Sequence, residues 1–392
     1  MRSRSWLDRA GHIRGWIPCL LPLLAAACGP ADQAAGAHQR LPGTPVSVET
    51  AAHLRLGVAE GDTILEFHDV VDPFLLPDGR VVVPVSGSGT IRVFSPEGRL
   101  LESLGRPGDG PGEFRLLGSA WPRGDTIEAF DVVLGRITRF PPDGHPKIVK
   151  LDMSPSAQAA VPGVLPDGWV LIGVESAGEG RRDTVAVHRY RLDGSDAGVI
   201  ARVEGIRRVR TPTTMGPDPL SPRMALAVAG GHVYVAQTLA PVIRVLGPGG
   251  RLERELTWSP GDRPSPREAF EDVVEVAAQK AGPAGAERAR KKVHAFPVAD
   301  RVPAFSGFLV DPDGFAWIEP FDPARRSVTF PRPVPTAGPI TWTVLSPDGA
   351  QADSLSLPGS FEPTWIGEDA LVGVRRDALG VEYVEVHSLK RS

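Results

Sequence analysis

From residue 46 onward, short apolar runs alternate with turn-forming pairs. The pairs are Asp78-Gly79, Glu97-Gly98, Gly124-Asp125, Asp143-Gly144, Asp167-Gly168, Asp193-Gly194, Gly230-Gly231, Gly249-Gly250, Asp313-Gly314, Asp348-Gly349 and Glu368-Asp369. Gly and Asp tolerate positive φ, so these pairs suit tight hairpins between strands. Positions 78 and 97 are 19 residues apart, as are 124 and 143, and 230 and 249. The pairs at 167/193 and 313/348 are wider but flanked alike, and 368 has no partner. Each pair of turns fits four strands in the order strand, turn, strand, loop, strand, turn, strand. The first unit reads Phe74–Leu76, Val81–Val85, Ile91–Phe94 and Leu100–Leu104.

Four-stranded antiparallel units of this length are the blades of a propeller. First turns at 78, 124, 167, 230, 313 and 368 predict six blades, the last with only three strands. The missing strand is expected from Pro45–Glu49 or Leu54–Leu56, which would pair with the last blade and remove its open edge. The sequence therefore predicts an all-β, six-bladed β-propeller closed by an N-terminal strand. Strand number and turn chemistry alone also permit an open β-sandwich. Residues 260–300 depart from the pattern as a small helical insertion between blades four and five. Ser265-Pro266-Arg267-Glu268 reads as a capping box with Pro at the first helical position. Phe270, Val273, Val274 and Ala277 come next at helical spacing, and Pro283 breaks the helix before a second one over Ala284–Val293. This insertion is expected against the mouth of the central channel, as a lid or docking element or as a side decoration.

The chain has 392 residues, 42% of them hydrophobic, so a large core is available. Its 44 Gly and 40 Pro are scattered among β-branched runs, which fits a turn-rich β protein. A net charge of −4 gives no basic bias toward nucleic acid. Residues 1–27 read as a secretion signal: Arg2, Arg4, Arg9 and Arg14 precede an apolar stretch too short to span a bilayer. Leu24-Ala25-Ala26-Ala27-Cys28-Gly29 resembles the lipobox of bacterial lipoproteins, with Ala25 in the slot that favours Leu. That resemblance implies lipidation of Cys28, while ordinary cleavage near Ala27 is the alternative. Cys19 would leave with the signal, and a lone Cys28 in an oxidising compartment calls for a cap. Residues 28–45 read as the lipidated Cys and a flexible tether, and 46–392 as the propeller. The expected location is the cell envelope, on the outer membrane facing periplasm or exterior.

The stretch Ile91–Phe114 (IRVFSPEGRLLESLGRPGDGPGEF) resembles the NHL-type six-bladed propellers, in particular bacterial lipoprotein versions. Val93, Phe94, Gly98, Leu101, Gly105, Gly108, Gly110, Pro111, Gly112, Glu113 and Phe114 carry the match. The resemblance implies the fold and no particular activity. The segment after the Gly-rich run is strand-like, so the run reads as a blade-to-blade connection rather than a phosphate cradle.

In such a blade the hairpin turns share one face, and the longer 2–3 loops and crossings share the other. Loops on a rigid scaffold usually carry function. Arg115, Trp121, Arg136, Arg223, Phe305, Arg325 and Trp365 are therefore the expected ligand-binding residues of the loop face, together with Arg181, Arg182 and Arg326. The bland reading is a solvated rim for the arginines and inter-blade packing for the aromatics. For a metal, the nine His show no ligand spacing, and His68, Asp69 and Asp72 form the best local cluster. No cofactor is expected. The favoured function is a cell-envelope binding or scaffold protein, with a membrane through its lipid anchor and a peptide, glycan or protein as partners. A metal-dependent hydrolase or lyase of the lactonase-like or amidating-lyase-like kind is the alternative. Convergence of three or more His, Asp or Glu in the channel would favour the enzyme, and an apolar or Arg-lined channel would favour binding.

Overall fold

The computed structural model describes residues 46–153, 163–175, 178, 180–212, 214–329 and 332–391. The predicted signal, Cys28 and tether lie outside the described residues. The strands form six separate antiparallel sheets. Blade one holds Phe74–Leu75, Val81–Val85, Thr90–Phe94 and Leu100–Leu104, close to the predicted limits. Blade two holds Leu117–Arg123, Thr126–Asp131, Arg136–Phe140 and Lys147–Lys150. Blade three runs from Gly163–Leu165 through Gly168–Glu175 and Arg182–Arg191 to Asp196–Arg210, with a fifth strand at Met215–Pro217. Blade four begins at Met224–Ala229, blade five at Phe305–Val310 and blade six at Phe361–Ile366.

The sheets form a ring: the first strands of neighbouring blades meet from blade one to blade six, and blade six meets blade one again. Each seam carries its own apolar layer. Val81 and Phe94 pack with Val372 and Val384 between blades one and six. Ile91 and Phe114 pack with Leu117 and Ala129 between blades one and two. Comparable layers fill the other four seams. Because each blade is covered on both faces, its second strand reads as a continuous apolar run, and Val81–Val85 is buried throughout. The outermost strand Leu100–Leu104 has only one covered side and is mostly exposed. The molecule is a six-bladed β-propeller.

The outer row of blade six is made of two short pieces lying along one strand, Glu382–Arg391. Val46–Val48 pairs with Leu389–Arg391, and Leu54–Leu56 pairs with Val384–Val386. Val46 and Leu56 are buried. The register places Val46 at the hairpin-turn end of the blade and Leu56 toward the loop end.

Pro266–His294 is the predicted helical insertion. Both capping-box hydrogen bonds are present at Ser265 and Glu268, and Pro266 starts the helix. The break falls at Gly282, whose φ of 68° leaves the helical region. The two halves fold back on each other, tied by Glu275–Arg290 at 2.9 Å and Glu271–His294 at 3.0 Å. Ala269, Phe270, Val273 and Val274 bury against Leu220, Val302 and Phe321 at the loop ends of blades four and five. The insertion contributes no residue to the cavity on the ring axis. Its apolar stripe is satisfied at the loop end of the seam between blades four and five.

Candidate functional site

The first strand of every blade faces the ring axis, and together they enclose a cavity of about 470 Å³. Phe74, Ala120, Val164, Leu226, Phe308 and Ile366 represent the six blades in its wall. Gly230, Pro312 and Pro122 border the first turns of their blades, so the cavity reaches the hairpin-turn end. The lining mixes aliphatic side chains with Phe74, Phe308 and two indoles, Trp121 and Trp365; its polar side chains are Thr364, whose hydroxyl donates to Pro73 O, and one carboxyl, Asp72.

Trp121 and Trp365 were expected on the loop face. They instead lie near the turn ends of their inner strands, Leu117–Arg123 and Phe361–Ile366, and line the channel. A first strand runs from loop face to turn face, so its late residues belong to the opposite end from its preceding loop.

Asp72 sits just before blade one with φ at 41°, and Asp69 nearby has φ at 58°. Asp accepts this left-handed region better than most residues, yet two such positions in one loop are uncommon. Burial among the blades and the neighbouring Glu362 push the Asp72 carboxyl up to about 6, against the pull of Arg326 and Arg332. The side chain itself remains open to the channel. Asp69 is bonded to Arg332, and His68 is exposed. The structure therefore brings only Asp72 of the His68, Asp69 and Asp72 cluster to the cavity. Among the described residues no group of three His, Cys, Asp or Glu is placed to hold a metal ion.

A chain of ion pairs crosses the loop end of blades five and six. Arg325 pairs with Glu319 at 2.9 Å and Arg326 with Glu319 at 3.1 Å. Arg326 also reaches Glu362 at 3.0 Å; Arg376 then joins Glu362 at 2.7 Å and Glu382 at 2.9 Å. The other oxygen of Glu382 accepts from the Val70 backbone N–H at 2.8 Å, which carries the network to blade one. Arg325 donates further to Gly359 O and to Phe361 O and is fully buried. It braces the fold, each of its three nitrogens donating to a protein oxygen.

Arg136 is likewise structural. Its guanidinium donates to the carbonyls of Asp109, Gly110 and Glu113 at 2.6–2.8 Å, pinning the Gly-rich run. Glu113 folds back to accept from Gly110 N–H at 2.7 Å, and Phe114 is buried between blades. The run is the blade-to-blade connection that its sequence predicts. Arg115 is exposed on the loop face and bonded to Asp109.

Arg223 and Phe305 do meet at one place. Arg223 precedes the first strand of blade four and donates to Ser306 O of blade five at 2.8 Å. Phe305 is buried, edge-on to Trp258 at 5.1 Å. Both line a small loop-face pocket with Leu220, Ser221, Thr238, Phe321, Arg326 and Ser327. Burial and the adjacent Arg326 lower the Arg223 guanidinium to about 10, partly offset by Glu319 and Glu362.

No protein-family model and no curated protein matches the sequence. Solved structures match the fold. A member of the DUF4221 family from Bacteroides vulgatus aligns with TM-score 0.52 and 8% identity, over 89% of this chain and 100% of that one. The likeness is one of fold alone. A protein described as exported, from Bacteroides fragilis, aligns with TM-score 0.48 and 11% identity over 88% and 95% of the two chains. Virginiamycin B lyase from Staphylococcus aureus aligns with TM-score 0.43 and 12% identity over 89% and 100%.

Proposed function

We propose that the protein is a cell-envelope binding propeller, lipid-anchored through Cys28, which holds an apolar ligand in its central channel. The supporting observation is the channel lining: six inner strands offer mostly aliphatic and aromatic side chains, two of them indoles, around about 470 Å³. Pockets of this size and polarity bury most of a small ligand, and the few polar groups in them set its orientation. Asp72 is that polar group here. An apolar channel is the lining expected of a binding protein rather than of a metal-dependent hydrolase.

N-phenyl-1-naphthylamine, a neutral aromatic probe, should bind once per chain and quench tryptophan emission. Trp365→Ala and Trp121→Ala should each weaken it about tenfold, or ~1.4 kcal/mol. Probe binding unaffected by both substitutions would place the ligand elsewhere. Cys28→Ser should release the protein from membranes; membrane association that persists in this variant rejects the anchor.

A further inference from the structure

The pocket at the loop end of the seam between blades four and five is separate from the channel. We infer that it is a binding site for a small monoanion, a halide or a carboxylate group, held by Arg223. Three observations carry this. First, Arg223 makes no ion pair among the described residues, and its side chain's one hydrogen bond there goes to a carbonyl, Ser306 O. Glu319 and Glu362 act on it only from a distance, and a largely buried guanidinium that leaves most of its five N–H donors without a partner is costly.

Second, the neighbouring charges are already committed. Arg325, Arg326 and Arg376 share Glu319, Glu362 and Glu382 through their chain of ion pairs. Arg223 stands beside this chain and forms no ion pair with any of its three carboxylates among the described residues. Asp72 also senses this network but lies on the channel side and forms no ion pair with Arg223.

Third, the pocket has the size and walls for such a group. It is about 20 Å³, room for a group near the size of one water. Thr238, Ser306 and Ser327 line it beside Arg223, the Ser221 hydroxyl being turned to the Pro222 carbonyl, and Leu220, Phe305 and Phe321 form its apolar wall. Leu220 and Phe321 also pack against the apolar stripe of the helical insertion, so the insertion backs the wall of this pocket. Low local polarity strengthens an anion–guanidinium contact.

The test is calorimetric titration of the intact protein with acetate and, separately, with bromide at constant ionic strength. Saturable 1:1 binding of at least one is expected, with Arg223→Gln weakening it at least about tenfold and Arg244→Gln, an exposed surface arginine, changing it less than about twofold. Acetate alone would identify a carboxylate site, and competition between the two would identify a general monoanion site. Absence of saturable binding by both overturns the inference, as does equal loss in the two variants. Should Arg223→Gln fail to fold, anomalous scattering from wild-type crystals in bromide decides. A peak beside Arg223 supports the site; its absence rejects the site where bromide titrates saturably, and where acetate alone does, the same test is acetate density beside Arg223 in acetate-soaked crystals. None of these readouts depends on a ligand in the channel.

Discussion

Asp72 combines a left-handed backbone, a position on the channel wall and a carboxyl pushed up to about 6. Its folded-state value lies above its ordinary one of 3.8. The folded state is therefore favoured most below about pH 4, and that advantage is lost as pH rises through 6. Asp72→Asn removes the charge, so the variant should be more stable than wild type at pH 8 and equal to it at pH 4. Because the side chain is open to channel water, the gain is discounted to about 1 kcal/mol. Urea denaturation at the two pH values measures it, and a gap that does not narrow at pH 4 contradicts the assignment. Arg391 supplies a second test. It pairs with Asp311 at 2.5 Å with both side chains buried, joining the last strand to blade five. Burial raises the Asp311 carboxyl despite that partner, while Trp317 Nε1 donates to it at 3.4 Å. Arg391→Ala leaves the carboxyl buried without its cation and should cost about 3 kcal/mol in chemical denaturation. A loss below about 1 kcal/mol would show the clasp to be dispensable.

The hairpins were legible because each needs Gly or Asp at a position that only a few residue types accept. The capping box announced the helix for the same reason: Ser265 and Glu268 satisfy backbone groups that few other pairs can reach. Strand lengths were harder to read. Asp196–Arg210 is a single long strand of blade three, carrying Arg202, Arg207 and Arg208. No apolar alternation marks its charged second half, yet Arg207 pairs with Asp218 and Arg208 with Asp183, so the strand extends beyond the apolar core. The Gly-rich connection gives a prediction at this scale. Gly105 has φ at 82°, and a methyl group there would lie 2.7 Å from the Phe114 ring. Gly105→Ala strains the backbone and displaces the wedge between blades one and two. It should lower stability by about 2 kcal/mol, as seen in the midpoint of thermal unfolding, whereas a neutral effect would mean that Phe114 repacks freely.

At the scale of the ring, six blades could be read from turn spacing because each seam needs the same apolar layer. The candidate site was less legible. A one-dimensional pattern does not separate an arginine buried in an ion-pair chain, such as Arg325, from one on an open rim. Nor does it mark Leu226 or Phe308 as channel wall, since apolar inner strands and apolar seams look alike. The outer row of blade six offers the test for the whole molecule. Deleting residues 46–56 uncovers the edge of Glu382–Arg391 and the buried Val46 and Leu56 contacts. The shortened protein should unfold more readily and self-associate through the bare edge. Light scattering and thermal unfolding that match the full chain would show that the ring holds without these strands.

Val46 lies at the same end of the molecule as the rim where Pro122, Gly230 and Pro312 surround the channel. That rim and the guanidinium pocket, at the loop end of blades four and five, lie at opposite ends of the ring. Two unlike ligands could then approach from opposite poles without competing.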